Sequence, residues 1–204
     1  AGTTVVFPHQ GTPQGGVVSP LLANIALNGV ETIGAYGKRA KPTYPCIRYA
    51  DDMVFVLRPD QTAADILGQV KAFLAVRGLN IKASKTRTVA ATDGFDFLGW
   101  HVYVQHNGKF RCVPAGDNFK AFRRKVKSII NHSNYGAKVK AQMLAPLERG
   151  WRNYHRYCRM KGARFSLWPI AYKAFHVFNR EPSQTRYSAQ ALVNLAFPAV
   201  GYQE

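Results

Sequence analysis

The chain has 204 residues, 47% of them apolar, which suits one large or two small domains with genuine cores and makes it globular rather than disordered. No run approaches the roughly 18–20 consecutive apolar residues of a membrane-spanning helix. Twenty-eight lysines and arginines against 11 acidic residues give a net charge of +17, more than solubility requires.

That excess is uneven along the chain. Residues 1–100 carry 10 basic and 7 acidic side chains, whereas residues 101–204 carry 18 and 4. A basic half joined to a nearly balanced one points to a polyanion-gripping module beside a module with another task. The three cysteines, Cys46, Cys112 and Cys158, are widely spaced and odd in number. They read as reduced core thiols rather than disulfides or zinc ligands.

Ser19-Pro20 marks a helix start. Leu21, Leu22, Ile25, Ala26 and Leu27 then predict a mostly apolar, buried helix ending near Gly34–Gly37. Next, "CIRY" and "MVFVL" flank Asp51-Asp52 as two short apolar strands, a hairpin with carboxylates at its tip. Ile66, Leu67, Val70, Phe73 and Leu74 recur at helical spacing, with Gly78 as a C-terminal cap. "TRTVAA", "FDFLGW" and "HVYVQH-NG-KFRCV" read as strands, and Asn107-Gly108 is a hairpin turn signal.

After Pro114 only helices are expected. Phe119, Phe122, Val126 and Ile129 mark the core face of one helix. Lys120, Arg123, Arg124 and Lys127 form a basic stripe on another face at i, i+3, i+4, i+7. Two more helices are predicted, from about Ala137 through "LERGWRNYHRYC" and from Phe165 through "SLWPIAYKAFHVFNR". Trp151 in the first of them reads as a core residue rather than a base-stacking platform.

Adjacent carboxylates between buried strands need an explanation. At an effective dielectric near 20, two unit charges about 4 Å apart repel by roughly 4 kcal/mol. A basic side chain or a bound cation between them would offset this. An Asp-Asp pair in a turn is by itself often only solvated punctuation. Hard carboxylate oxygens also suit Mg²⁺, which takes few carboxylates together with waters and substrate phosphates.

The surroundings give the pair a context. "RYADD" between apolar strands resembles the YxDD box of reverse transcriptases, and "GTPQGGVVSPLLANIALN" resembles their motif B. "GLNIKASKT" resembles motif D, "FDFLGW" the primer-grip motif E, and "LERGWRNYHRYCRMKGARFSLW" the thumb, or maturase domain, of group II intron reverse transcriptases. The resemblance covers roughly residues 11 to 180; the closing "SQTRYSAQALVNLAFPAVGYQE" matches nothing recognised.

The resemblance implies an α+β fold. A partial polymerase palm, an antiparallel sheet with packed helices, would occupy residues 1–115. An all-α thumb bundle would occupy residues 116–204. It implies an RNA-directed DNA polymerase with two Mg²⁺ ions held by Asp51 and Asp52. Lys85 would stand near the departing pyrophosphate as its proton donor, with a solvated strand-edge lysine as the plainer reading. Pro13, Gln14, Gly15, Gly16, Tyr49 and Ala50 would line the nucleotide and template side, and Leu98, Gly99 and Trp100 would grip the primer. The implied partners are an RNA template, a DNA primer, dNTPs and group II intron RNA, in a cytoplasmic, bacterial-type setting without a membrane.

In that family the motif with the third metal-binding aspartate, the fingers and an N-terminal RNA-binding extension precede motif B. None is found here, and Asp60 and Asp65 cannot substitute by order. The resemblance therefore implies the C-terminal part of a polymerase, with the remainder on a separate chain or outside this sequence. Two other readings stay open: a non-enzymatic RNA-binding maturase module, and a related reverse transcriptase of bacterial defence or CRISPR spacer acquisition.

Overall fold

The computed structural model describes residues 16–34, 44–160 and 165–198. The fold is α+β: among these residues it holds two small antiparallel sheets and six α-helices. The chain divides into two compact units, Ala1–Thr88 and Val89–Glu204. The cut falls upstream of residue 115, so the three-stranded sheet belongs to the same unit as the later helices. Residue 115 marks the change from strands to helices.

In the first unit, α1 spans Ser19–Leu27, with Pro20 in its first turn. It ends before the predicted Gly34–Gly37, because Asn28 leaves the helical region and Gly29 takes φ 94°. The expected burial also fails: Leu21, Leu22 and Ile25 are exposed and only Leu27 is buried. Strands β1 (Cys46–Tyr49) and β2 (Asp52–Phe55) form the expected hairpin, with Tyr49 opposite Asp52. Helix α2 (Ala63–Ala75) is capped by the Thr62 side chain on the Asp65 N–H. It buries Ile66, Val70 and Leu74 with Leu27 and Tyr44 in a small core. Gly78 closes the helix at φ 67°, as its position predicts.

"TRTVAA" forms no strand. Residues 86–90 are exposed and belong to no ladder. Strand-favouring residues such as Thr86, Thr88 and Val89 do not make a strand when no neighbour supplies hydrogen bonds.

The second unit begins with a meander of β3 (Phe95–Phe97), β4 (Trp100–Val104) and β5 (Phe110–Pro114). Asn107-Gly108 makes the β4–β5 turn, with Gly108 at φ 76°. Helices α3 (Gly116–Ile130), α4 (Ala137–Tyr154), α5 (Trp168–Asn179) and α6 (Arg186–Ala196) follow. Phe119, Phe122, Val126 and Ile130 of α3 face a core shared with Leu144, Trp151, Ile170, Phe178 and Val193. The expected Ile129 is half-buried and packs against the same core, and Ile130 beside it is fully enclosed. Trp151 is a core residue, its ring stacked on Phe122 at 4.6 Å. Helix α6 goes beyond the helices expected from the sequence, although Thr185 and Ser188 form a reciprocal capping box at its start. Among the described residues no helix is long and apolar enough to cross a membrane.

The cysteines are free thiols. Cys112 of β5 and Cys158 after α4 bring their sulfurs to 3.5 Å. Burial pushes both of these thiols up and raises Cys46 to about 11.

Candidate nucleotidyl-transfer site and nucleic-acid interface

The tip of the β1–β2 hairpin is a two-residue turn, Ala50-Asp51, closed by the Tyr49–Asp52 pair. Ala50 has φ 54°, a left-handed conformation that a non-glycine residue keeps only when its surroundings hold it. Arg48 supplies that hold. One terminal nitrogen of its guanidinium donates to the Ala50 carbonyl and to Asn24 Oδ1 of α1, each at 3.0 Å, and Nε pairs with Glu31. Glu31's own backbone N–H, aided by Arg48, lowers its carboxyl pKa.

Arg48 is therefore committed to Glu31 and the turn, and does not neutralise the aspartates. Asp51 and Asp52 are exposed, and among the described residues no cationic side chain pairs with either. Tyr49, 64% exposed, stands opposite Asp52 on the same face of the ladder. Two acceptor-only carboxylates facing water fit a hard cation that keeps part of its hydration shell. No group of three or more His, Cys, Asp or Glu side chains placed to hold a metal occurs among the described residues.

Lys85 closes a short 3₁₀ turn, Ala83–Lys85, in the same unit and is exposed. No ion pair joins it to Asp51 or Asp52 among the described residues. Gly16 stands just before α1, where its carbonyl accepts from the Ser19 N–H at 3.2 Å. Pro13, Gln14 and Gly15 lie outside the described residues.

In the second unit, Leu98 and Gly99 form the two-residue turn between β3 and β4, closed by the Phe97–Trp100 pair. Both have positive φ, 50° and 78°, the combination a tight primed hairpin turn requires. Glycine meets it freely; leucine does not. Helix side chains clamp both carbonyls of the turn. Tyr154 of α4 donates its hydroxyl to Leu98 O, and Asn118 of α3 donates Nδ2 to Gly99 O at 3.1 Å. The Ala115 N–H also donates to Gly99 O, at 2.9 Å. Asn118 Nδ2 further approaches His155 Nε2 at 3.4 Å, while His155 Nδ1 lies 3.0 Å from Trp151 O. That pattern assigns the proton to Nδ1 of a neutral imidazole. Desolvation lowers the His155 pKa, in keeping with the neutral form. Trp100 leans on Tyr154, ring centroids 5.5 Å apart.

The basic stripe lies along one side of α3: Lys120, Arg124 and Lys127 are exposed and Arg123 half-buried, with Asp117 at its start. Lys120 is paired with Asp117 at 3.2 Å. Nothing in such a stripe reads base edges, but it can track phosphates. Sequence reasoning does not single out Arg48, Asn118, Tyr154 or His155. Their roles depend on partners 17, 19, 56 and 37 residues away, which no local pattern reveals.

Comparison with known proteins defines the class. The family described as "Reverse transcriptase (RNA-dependent DNA polymerase)" matches residues 2–102. "Group II intron, maturase-specific domain" matches residues 119–177. The chain thus belongs to the group II intron reverse transcriptase/maturase family. It is 37% identical over 181 residues to Maturase-like protein 1 of Euglena gracilis, covering 88% of this chain and 37% of that protein. It is 34% identical over 183 residues to Maturase-like protein 1 of Euglena longa, covering 88% of this chain and 38% of that one. The chain therefore spans well under half the length of these curated relatives.

Proposed function

We propose that this chain is part of an RNA-directed DNA polymerase that also holds group II intron RNA and assists its splicing. The observation that carries the reading is the hairpin tip: two exposed carboxylates on a turn held by Arg48, with no described basic side chain to neutralise them. Asp51 would be the principal ligand and Asp52 its support for Mg²⁺. A pair of such ions supplies charge stabilisation to the attacking and leaving oxygens of an in-line phosphoryl transfer. Tyr49 and Ala50 border the place where primer end and nucleotide meet, and Gly16, with Pro13, Gln14 and Gly15, serves the template side. Lys85 donates a proton to the departing pyrophosphate. Leu98, Gly99 and Trp100 hold the primer backbone, and Lys120, Arg123, Arg124 and Lys127 hold phosphates of the template–primer duplex.

The test is Asp51→Asn in the protein restored to the length of its relatives. Primer extension on an RNA template is expected to disappear while RNA affinity stays within about twofold, because the substitution leaves the basic surface alone. Normal polymerisation by that variant would remove the hairpin from the active site. The second reading, an RNA-holding maturase without polymerase chemistry, draws on the basic stripe of α3. It is preferred if the restored wild-type protein promotes splicing yet extends no primer.

A further inference from the structure

Helix α5 has two unlike faces. Ile170, Ala174 and Phe178, at i, i+4 and i+8, are buried in the core of the second unit. Trp168, Tyr172 and His176, at the same spacing, run along the outside. Trp168 is 68% exposed and Tyr172 53% exposed. They lie nearly parallel, 23° between planes and 5.3 Å between centroids, and His176 meets Tyr172 edge-on at 4.4 Å. Of the three tryptophans, Trp151 is buried and Trp100 half-buried; Trp168 alone has a largely open ring.

A soluble fold has little reason to leave an indole and a phenol stacked in water. The charges beside them indicate what covers the row. Lys173, one residue past Tyr172, and Arg180, the C-cap residue four past His176, are both exposed at the border of the row. The nearest carboxylate in sequence, Glu181, is turned away to accept the Ala137 N–H at 2.8 Å. An aromatic row edged by cations, in a chain of net charge +17, matches a strand of phosphates whose bases are free to stack. A duplex hides its base faces; a single strand exposes them.

We propose that the outer face of α5 is a stacking platform for unpaired bases of single-stranded RNA. One base lies on the open face of Trp168, and Lys173 and Arg180 take the adjoining phosphates. The proposal rests on the RNA-holding reading above and assigns it a second surface, chemically distinct from the duplex-tracking stripe on α3.

Tryptophan fluorescence tests it directly in the 204-residue chain, titrated with a short unstructured pyrimidine-rich oligoribonucleotide and, separately, with the duplex form of the same sequence. The single strand is expected to quench the emission. Trp168→Leu should abolish the quench and weaken single-strand affinity roughly 5- to 150-fold, the range of one base–aromatic stack. It should leave duplex affinity and melting temperature unchanged, and Trp168→Phe should retain most of the binding. Lys173→Gln should flatten the single-strand salt slope by about 0.7; Trp168→Leu should not alter it. Unchanged single-strand affinity in Trp168→Leu, or an equal loss on the duplex, overturns the proposal. So does an indole already shielded from acrylamide in the protein restored to the length of its relatives, which would mean that protein covers the face. If neither RNA form binds wild type, the RNA-holding reading falls as well; duplex binding without a single-strand quench removes only the platform.

Discussion

Substitution of Gly99 by alanine measures how firmly the β3–β4 turn is clamped. An L side chain at φ 78° costs about 1–2 kcal/mol. Its Cβ would also stand 2.5 Å from Asn118 Nδ2 and 3.3 Å from the amide carbon. Asn118 must therefore swing away and give up its bond to Gly99 O, a further loss of about 1 kcal/mol. Gly99→Ala should thus cost about 2–3 kcal/mol, and Asn118→Ala alone about 1 kcal/mol for the same bond. Independent effects would sum to about 3–4 kcal/mol. The bond, however, can be broken only once, and removing the Asn118 side chain also makes room for the new methyl. The double variant should therefore cost only about 2–3 kcal/mol, a coupling of about 1 kcal/mol. Urea unfolding followed by tryptophan emission is a suitable assay, because Trp100, Trp151 and Trp168 all lie in the second unit. Additive penalties, or a Gly99→Ala variant as stable as wild type, would refute the clamp.

The imidazole of His155 predicts an acid-sensitive second unit. Burial holds its folded pKa below the ordinary 6.5, so between the two values the unfolded chain binds more protons. Stability should fall as pH drops below about 6.5, by at most about 1.4 kcal/mol per pH unit, and stop falling below the folded value; urea midpoints across pH should show a shallower decline in His155→Gln. Replacing Arg123, Arg124 and Lys127 together by glutamine should weaken binding to template–primer duplexes of any sequence similarly. For every phosphate that is no longer neutralised, the log affinity–log salt slope should flatten by roughly 0.7–0.9, and an unchanged slope would make the stripe a solvated face.

Legibility in the sequence follows the range of the interactions. The β1–β2 and β4–β5 hairpins, the cap at Gly78 and the two faces of α3 are set by residues within a turn or two of one another, and the pattern shows them. "TRTVAA" carries the threonines and valine of a strand but lacks a partner, a property of the fold rather than of the segment. The apolar run of α1 suggests burial, yet the described residues leave Leu21 and Ile25 in water. In "SLWPIAYKAFHVF" nearly every face of the helix is apolar, so periodicity cannot say whether Trp168 or Ile170 turns inward. The tip carboxylates can be read because their spacing is local. Arg48, which holds their turn, cannot be assigned without Glu31 and Asn24, and Asn118 needs the turn it grips.

The capping of α4 bears on how such modules are inherited. The maturase-specific match stops at residue 177, yet the first N–H of α4 is satisfied by Glu181, beyond that edge. Ala189 and Ala196 of α6 are completely enclosed in the core that holds Leu144 and Phe178. A recombination event, or a grafted domain, that broke the chain at the edge of the match would carry away α4 and most of α5 while leaving behind the last residues of α5, Phe178 included, a helix cap and one wall of their core. A piece that keeps this core whole reaches at least to Ala196, and sequence that looks like an unmatched tail travels with it as part of the same body.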